Sequence, residues 1–139
     1  GTPSELHAIR LATSMLAELL KIPSEIIDSR LHPHDGRVDA VISGGPYRFV
    51  IEYQGSGRAA PVSKAISQLR RFGSVGVEPS VPVVLVPFMG DVGRKLCSDA
   101  GVGWLDLSGN AHIFAPGLRI HVEGKPNQFK RRGRPSSPF

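Results

Sequence analysis

The segment 37–54 (RVDAVISGGPYRFVIEYQ) constrains the fold of this chain most, because it holds two short alternating runs separated by a turn signal. Apolar and polar residues alternate over 37–43 and again over 48–54, with Gly44-Gly45-Pro46 between them. A period of two is typical of a strand with one buried face, and glycine beside proline is typical of a tight turn. The segment therefore predicts a β-hairpin.

The relative position of two acidic residues, Asp39 and Glu52, depends on the register of the predicted hairpin. With Gly45 and Pro46 as the central turn residues, Asp39 lies directly opposite Glu52, whereas an odd-numbered loop or a bulge separates the acids. Like charges on opposite positions are unfavourable, but a divalent cation such as Mg²⁺ takes hard oxygen ligands. The hairpin thus predicts either a metal site or two solvated acids.

The remaining segments predict an α/β domain. Thr2, followed by Pro3 and Glu5, has the sequence of an N-cap with a capping box. We expect a helix over 2–22, a short strand over 24–31, a helix over 62–72 and a buried strand over 81–87. A short helix capped by Asp91 and ended by Gly101 should follow, and then strands at 104–107, 111–114 and 118–122.

Length and composition predict one domain of a protein that works in a reducing compartment. A chain of 139 residues can bury a real core, and a single cysteine, Cys97, excludes an internal disulfide. No apolar run has the length of a membrane span, and the N-terminus lacks the layout of a signal peptide. We expect a cytoplasmic location, no membrane partner, and a Cys97 that is a small buried residue rather than a nucleophile.

The net charge of +5 is concentrated in the last fifteen residues, which contain no acid and hold Lys125, Lys130, Arg131, Arg132 and Arg134. Residues 1–124 hold the other twelve basic residues and all twelve acids, so their net charge is zero. They therefore lack the excess of positive charge that is typical of a dedicated nucleic-acid-binding domain. We expect a domain over 1–124 and a flexible basic tail over 125–139. The tail either binds phosphate backbones or is a solubilising linker to a further domain.

Several polar residues admit a structural and a functional interpretation. Lys64, Gln68 and Arg71 recur at i, i+4 and i+7 beside the apolar face of the predicted helix over 62–72. They form either a solvated face or a ridge that supplies a cation and phosphate contacts to the acidic hairpin. His32, His34 and Asp35 favour a polar loop over a metal cluster, and Asp106 and His112 favour the polarity of an edge strand over a site.

The order helix, strand, strand with Asp39, strand with Glu52 and Gln54, helix, buried strand resembles the PD-(D/E)xK nuclease superfamily. The matching pieces are Val38-Asp39 and Glu52-Tyr53-Gln54, and the resemblance covers roughly residues 5–87. It implies a restriction-endonuclease-like core, α-β-β-β-α-β, with the C-terminal strands added to it. Val38 replaces the usual proline, and Gln54 replaces the lysine of most members. Some active members use glutamine there, and others take the lysine from the following helix, where Lys64 is the candidate.

What the resemblance implies for chemistry is metal-dependent phosphodiester hydrolysis of nucleic acid, with DNA as the expected form. Asp39 and Glu52 would bind Mg²⁺ or Mn²⁺, and Gln54 and Lys64 would complete the catalytic set. The phosphates would meet Gln68, Arg71, Lys130, Arg131, Arg132 and Arg134. A homodimer is compatible with this interpretation.

The rival is a catalytically inactive module of the same fold that binds nucleic acid or a protein. The segment 103–114 (GWLDLSGNAHIF) also resembles bacterial proteins described as antitoxin-like or regulatory, in which such a domain precedes a helix-turn-helix module. Under this hypothesis the acidic hairpin persists without chemistry.

Overall fold

A computed structural model of the protein describes residues 2–29, 38–73 and 80–130. Its elements, in chain order, are α1 (Glu5–Leu20), β1 (Ser24–Ser29), β2 (Ala40–Gly44), β3 (Tyr47–Tyr53), α2 (Ala59–Gly73), β4 (Ser80–Val86), α3 (Asp91–Ala100), β5 (Gly103–Asp106), β6 (Ala111–Ala115) and β7 (Leu118–Val122). This mixed arrangement of helices and strands confirms the predicted α/β class.

The described strands form one mixed sheet, in which their spatial order equals their order along the chain. The pairs β1–β2 and β2–β3 are antiparallel, β3–β4 and β4–β5 are parallel, and β5–β6 and β6–β7 are again antiparallel. Parallel neighbours need a crossover connection, which α2 and α3 provide. The carboxyl ends of β3 and β4 therefore lie at the same end of the sheet, together with the first turns of α2 and α3.

Helices pack on both faces of the sheet, which explains why β4 is apolar along its whole length. The core on the face of α1 includes Ala8, Ile9, Ala12, Leu16, Ile42, Phe49, Ile51 and Leu85. The core on the face of α2 and α3 includes Val50, Val62, Ala65, Leu69, Val84, Val86, Cys97 and Trp104. Along β3 the side chains alternate between the two cores, so Glu52 lies on the same face as Val50, under α2.

Helix α1 begins later than its sequence predicts. Ser4, in extended conformation, is the N-cap, and its hydroxyl accepts a 3.3 Å hydrogen bond from the N–H of His7. The prediction of Thr2 as the N-cap is therefore wrong, because Ser4 provides the same hydroxyl two residues closer to the apolar stripe. Glu5 is the first helical residue, where a negative charge is favourable.

Helix α2 begins at Ala59, earlier than the predicted residue 62. Pro61 does not prevent this, since proline lacks only an N–H that the first helical turn leaves unpaired. The N–H of Val62 already donates to the carbonyl of Arg58 at 3.1 Å. In α3 the N-cap is Gly90 rather than Asp91, whereas Gly101, with φ of 69°, ends the helix as predicted.

The interior position of Cys97 on α3 is confirmed. The thiol is fully buried in the core under α2 and α3. Burial raises the pKa of Cys97 to about 12, so the thiolate that a nucleophile requires is scarce at neutral pH.

The described part of the C-terminal segment is attached to the domain, although its composition predicts flexibility. The backbone N–H of Lys125 donates to Oδ1 of Asn110 at 2.8 Å, and Nδ2 of Asn110 donates to the carbonyl of Lys125 at 3.0 Å. The N–H of Gln128 donates to the hydroxyl of Ser108, and Phe129 packs on the core under α1. No helix within these described ranges is long and apolar enough to cross a membrane.

Candidate functional site

The predicted hairpin is present, with the predicted turn. Gly44 pairs with Tyr47 and Ala40 with Ile51, so Gly45 and Pro46 are the two turn residues. Gly45 has a φ of 59°, a conformation that favours glycine, and a Cβ on it would lie 2.6 Å from Cδ1 of Ile22. The turn chemistry therefore fixes the register of β2 against β3.

Asp39 lies at the very start of this hairpin, just outside the paired part of β2. Its N–H donates to the carbonyl of Ile51 at 3.1 Å, although the register pairs Ile51 with Ala40. Two residues of one strand thus oppose one residue of the other, as in a β-bulge. The predicted direct pairing of Asp39 with Glu52 is replaced by this irregular arrangement.

The carboxylate of Asp39 nevertheless reaches the backbone next to Glu52. Its Oδ2 accepts a hydrogen bond of 2.8 Å from the N–H of Tyr53, the residue that follows Glu52. Asp39 is 2% exposed and Glu52 is 5% exposed. Both acids are thus buried, which contradicts the alternative of two solvated acids.

The surroundings of Glu52 are mostly apolar. Glu52 is opposite Val84 in the parallel pair of β3 with β4, and Val50 precedes it on the same face. Burying a carboxylate is costly unless it is hydrogen-bonded, paired with a charge or bound to a cation.

Tyr53 directly follows Glu52 in the chain but points to the other face of the sheet. Its hydroxyl donates to the carbonyl of Pro3 at 2.8 Å, and burial raises its pKa. Tyr53 therefore joins the site to the start of α1 through its side chain, while its backbone N–H binds Asp39.

Gln54 continues the strand beyond Tyr53. Its N–H donates to the carbonyl of Leu85 at 2.9 Å, and its side chain is half-buried. Since residues two apart share a face, Gln54 follows Glu52 on the side of α2. This placement agrees with the predicted grouping of Glu52 with Gln54.

The polar residues predicted beside the apolar face of α2 are Lys64, Gln68 and Arg71, and only Gln68 is partly buried. Gln68 is half-buried and accepts a 3.2 Å hydrogen bond from Nη1 of the exposed Arg71. Lys64 is exposed, and within the described ranges it forms no ion pair with Asp39 or Glu52. The structure thus does not bring Lys64 to the carboxylates.

A cleft of about 520 Å³ opens at the edge of the sheet, beginning one residue after Gln54. Its walls include the loop 55–58, the loop after β4 with Phe88, and the C-terminal residues Asn127 and Phe129. Arg58 contributes a cation to it. None of the four predicted catalytic residues lines the cleft, so it adjoins the acidic site without containing it.

Close backbone approach between two loops shapes this cleft. A Cβ on Gly57 would lie 2.0 Å from the carbonyl oxygen of Phe88, and Gly57 forms a parallel bridge with Met89. Only glycine permits such an approach. The sequence holds no local sign of it, because the two loops are thirty residues apart.

Asp106 is a buried structural residue, so its prediction as edge-strand polarity is wrong. It is fully buried, and its carboxylate accepts hydrogen bonds from the N–H groups of Met89, Ser108 and Asn110 at 2.8 to 3.1 Å and from the Asn110 amide. These contacts hold the loop after β4, and therefore one wall of the cleft, to the turn between β5 and β6. The sequence Asp-Leu-Ser-Gly-Asn at 106–110 is typical of such a turn, and it is the sequence feature that indicates a structural role for Asp106.

Some predicted site residues lie outside the described residues, namely His32, His34, Asp35, Arg131, Arg132 and Arg134. Lys130 is described and exposed. Among the described residues, no group of three or more histidine, cysteine, aspartate and glutamate side chains is arranged to hold a metal ion. Comparisons with protein-family models, curated proteins and solved structures gave no match.

Proposed function

We propose that this protein is a Mg²⁺-dependent phosphodiester hydrolase that acts on nucleic acid, expected to be DNA. The observation that carries the proposal is the contact of the Asp39 carboxylate with the N–H of Tyr53, which brings a second buried carboxylate beside Glu52. Buried acids of like charge are unfavourable neighbours unless a cation or hydrogen bonds offset their repulsion.

The order of elements supports the proposal. From α1 to β4 the chain runs α-β-β-β-α-β, with β3 and β4 parallel and with α1 and α2 on opposite faces. This order is the one expected of a PD-(D/E)xK nuclease core, and the two acids stand at its expected strands. Helix α3 and strands β5 to β7 are then an addition to that core.

The donor atoms fit a hard divalent cation. Mg²⁺ is commonly held by one or two carboxylates, with water and substrate phosphate as its other ligands, so Asp39 and Glu52 suffice without a third acid. The carbonyl of Tyr53 would be a further ligand. When bound, Mg²⁺ or Mn²⁺ would lower the pKa of a bound water and offset charge on the phosphate.

The remaining residues position the substrate. Gln54 has an amide that can orient a water or a phosphate oxygen, but it brings no positive charge. Arg58, at the adjoining cleft, provides a cation that would bind a phosphate of the substrate. Gln68, Arg71 and Lys130 would contact phosphates farther along the strand.

A nuclease-fold module without catalysis is the second candidate, and the position of Lys64 favours it. Most members of the superfamily have a lysine near the metal, whereas here Gln54 holds that place and Lys64 is exposed. This candidate predicts binding of nucleic acid or protein that does not depend on Mg²⁺.

A cleavage assay separates the two candidates. Purified protein is incubated with duplex, branched and single-stranded DNA and RNA in Mg²⁺ or Mn²⁺, beside Glu52→Gln and the exposed control Glu18→Gln. The proposal expects cleavage by wild type and by Glu18→Gln only. Cleavage that survives Glu52→Gln, or intact substrates in every reaction, contradicts it.

A further inference from the structure

Three aromatic rings form a row across β5, β6 and β7, on the face of the sheet that carries α3. Trp104 is opposite His112, and His112 is opposite His121. The ring centroids of His112 and His121 are 4.8 Å apart with an interplanar angle of 23°, which is a stacked arrangement. Phe114 joins the row, because its ring centroid is 5.2 Å from that of His112. We call these four residues the aromatic row.

The aromatic row is covered at one end and open at the other. Trp104 is 3% exposed, and the guanidinium carbon of Arg94 on α3 lies 5.2 Å from the centroid of its ring. Phe114 is 39% exposed, and half of the His121 side chain is exposed. Helix α3 therefore protects the inner ring, while the rings on β6 and β7 remain available to a flat partner.

One cation lies at the open end of the row and another at its covered end. Arg119 is opposite Phe114 in the pairing of β6 with β7, and Arg94 borders the row at Trp104. The acid at this place is Glu123, and its Oε2 is hydrogen-bonded to Nε2 of His121. Two guanidinium groups thus face one carboxylate that is already engaged, which leaves a local positive potential.

A metal site does not account for this row. Stacked imidazoles present their faces to each other, whereas ligation needs ring nitrogens that converge on one point. In addition, no three-ligand metal group is present in the described ranges. Aromatic rings and cations at their border are instead the two features of a surface for unpaired bases and their phosphates.

We propose that the open part of the aromatic row, with Arg119 and Arg94, binds single-stranded nucleic acid. Unpaired bases would stack on Phe114 and on the face of His121 turned away from His112, and backbone phosphates would meet the two guanidinium groups. Duplexes hide the faces of their bases, so they would bind less well. The inference rests on the proposed function only in the class of ligand, because this surface lies beyond α3 from the acidic site and requires no metal.

Fluorescence anisotropy in EDTA tests the proposal with the full chain. The probe is a labelled oligothymidylate of about twelve nucleotides, with a blunt duplex of equal length as competitor. Phe114→Ala and Arg119→Glu should each weaken binding roughly tenfold. The matched controls are Leu6→Ala and Arg10→Glu, which make the same kinds of change on exposed residues of α1, on the opposite side of the sheet.

Three outcomes overturn the proposal. Equal losses for the variants and their controls would assign binding to net charge or to the basic C-terminal residues. If the duplex competes as well as an unlabelled single strand of equal length, base stacking does not contribute to binding. A free protein that sediments as a dimer, and as a monomer after Phe114→Ala, would make a second copy of the chain the partner. Since EDTA removes metal from the measurement, failure of the metal site and failure of this surface are separate results.

Discussion

The carboxylate of Asp39 and the backbone of Tyr53 are joined by a 2.8 Å hydrogen bond that closes the open end of the β2–β3 hairpin. The bond ties one buried acid to the residue after another, Glu52, and so relates two carboxylates that are thirteen positions apart. It serves the fold as well as the proposed metal site, because it satisfies a backbone N–H at the end of β3.

Variants of Asp39 should separate these two roles. Asp39→Asn keeps an oxygen that can accept the Tyr53 N–H, so we expect its free energy of unfolding in EDTA to stay within about 1 kcal/mol of wild type. Asp39→Ala leaves that N–H buried and unsatisfied, which should cost about 1–3 kcal/mol. Urea unfolding followed by circular dichroism measures both. Equal stability of the two variants would show that the hydrogen bond does not matter.

Asp106→Ala should be among the most destabilising single substitutions in this chain. It removes the acceptor of three backbone N–H groups and one side-chain amide in a fully buried place. We expect a loss of at least about 3 kcal/mol in the free energy of unfolding, since several donors lose their partner together. The exposed Asp99→Ala is the control. A loss below about 1 kcal/mol would mean that water or another acceptor replaces the carboxylate.

Mild acid should destabilise the protein through His112. Burial, and then the nearby charges of His121 and Arg119, lower its pKa from the usual 6.5. The unfolded chain therefore binds this proton more readily than the folded chain, so stability falls as the pH drops below about 6.5 and continues to fall toward the lowered pKa.

Nuclear magnetic resonance titration of the imidazole signals checks this prediction. The ring of His112 should titrate below 6.5, and His121→Asn should raise its pKa without restoring the usual value, because burial is the larger cause. A His112 that titrates at or above 6.5 in wild type would contradict the stacked, partly buried geometry.

The Cys97 thiol should react only after unfolding. Because burial raises its pKa to about 12, we expect very slow modification by a disulfide reagent at pH 8 in native buffer and rapid modification in urea. Absorbance of the released thiol follows the reaction. Stoichiometric modification of the native protein within seconds would place Cys97 at the surface or in a mobile element.

The elements that the sequence predicted well are those with a local cause. Gly45 and Pro46 define a tight turn by themselves, the apolar run over 81–87 defines a strand buried on both faces, and Gly101 ends α3 through its positive φ. The register that follows from the turn brought the acids near each other without knowledge of the tertiary fold.

What the sequence missed depends on contacts between distant residues. At Asp39 the side-chain carboxylate accepts the N–H of Tyr53, and the backbone N–H of Asp39 donates to Ile51 outside the regular register. The cleft depends on the close approach of Gly57 to Phe88. The C-terminal segment is attached by hydrogen bonds to Asn110 and Ser108 and by the packing of Phe129 on the core under α1. The composition of that segment correctly indicates few apolar residues. It does not reveal the individual contacts that attach the segment to the domain.

A calorimetric titration of Mn²⁺ into the protein tests the central claim most directly, since it requires no substrate. The account predicts saturable binding of one or two ions to wild type and to the exposed control Glu18→Gln, and its loss in Asp39→Asn, whose fold should persist. The same binding isotherm for wild type and Asp39→Asn, or no saturable heat for wild type, would contradict a metal site at Asp39 and Glu52.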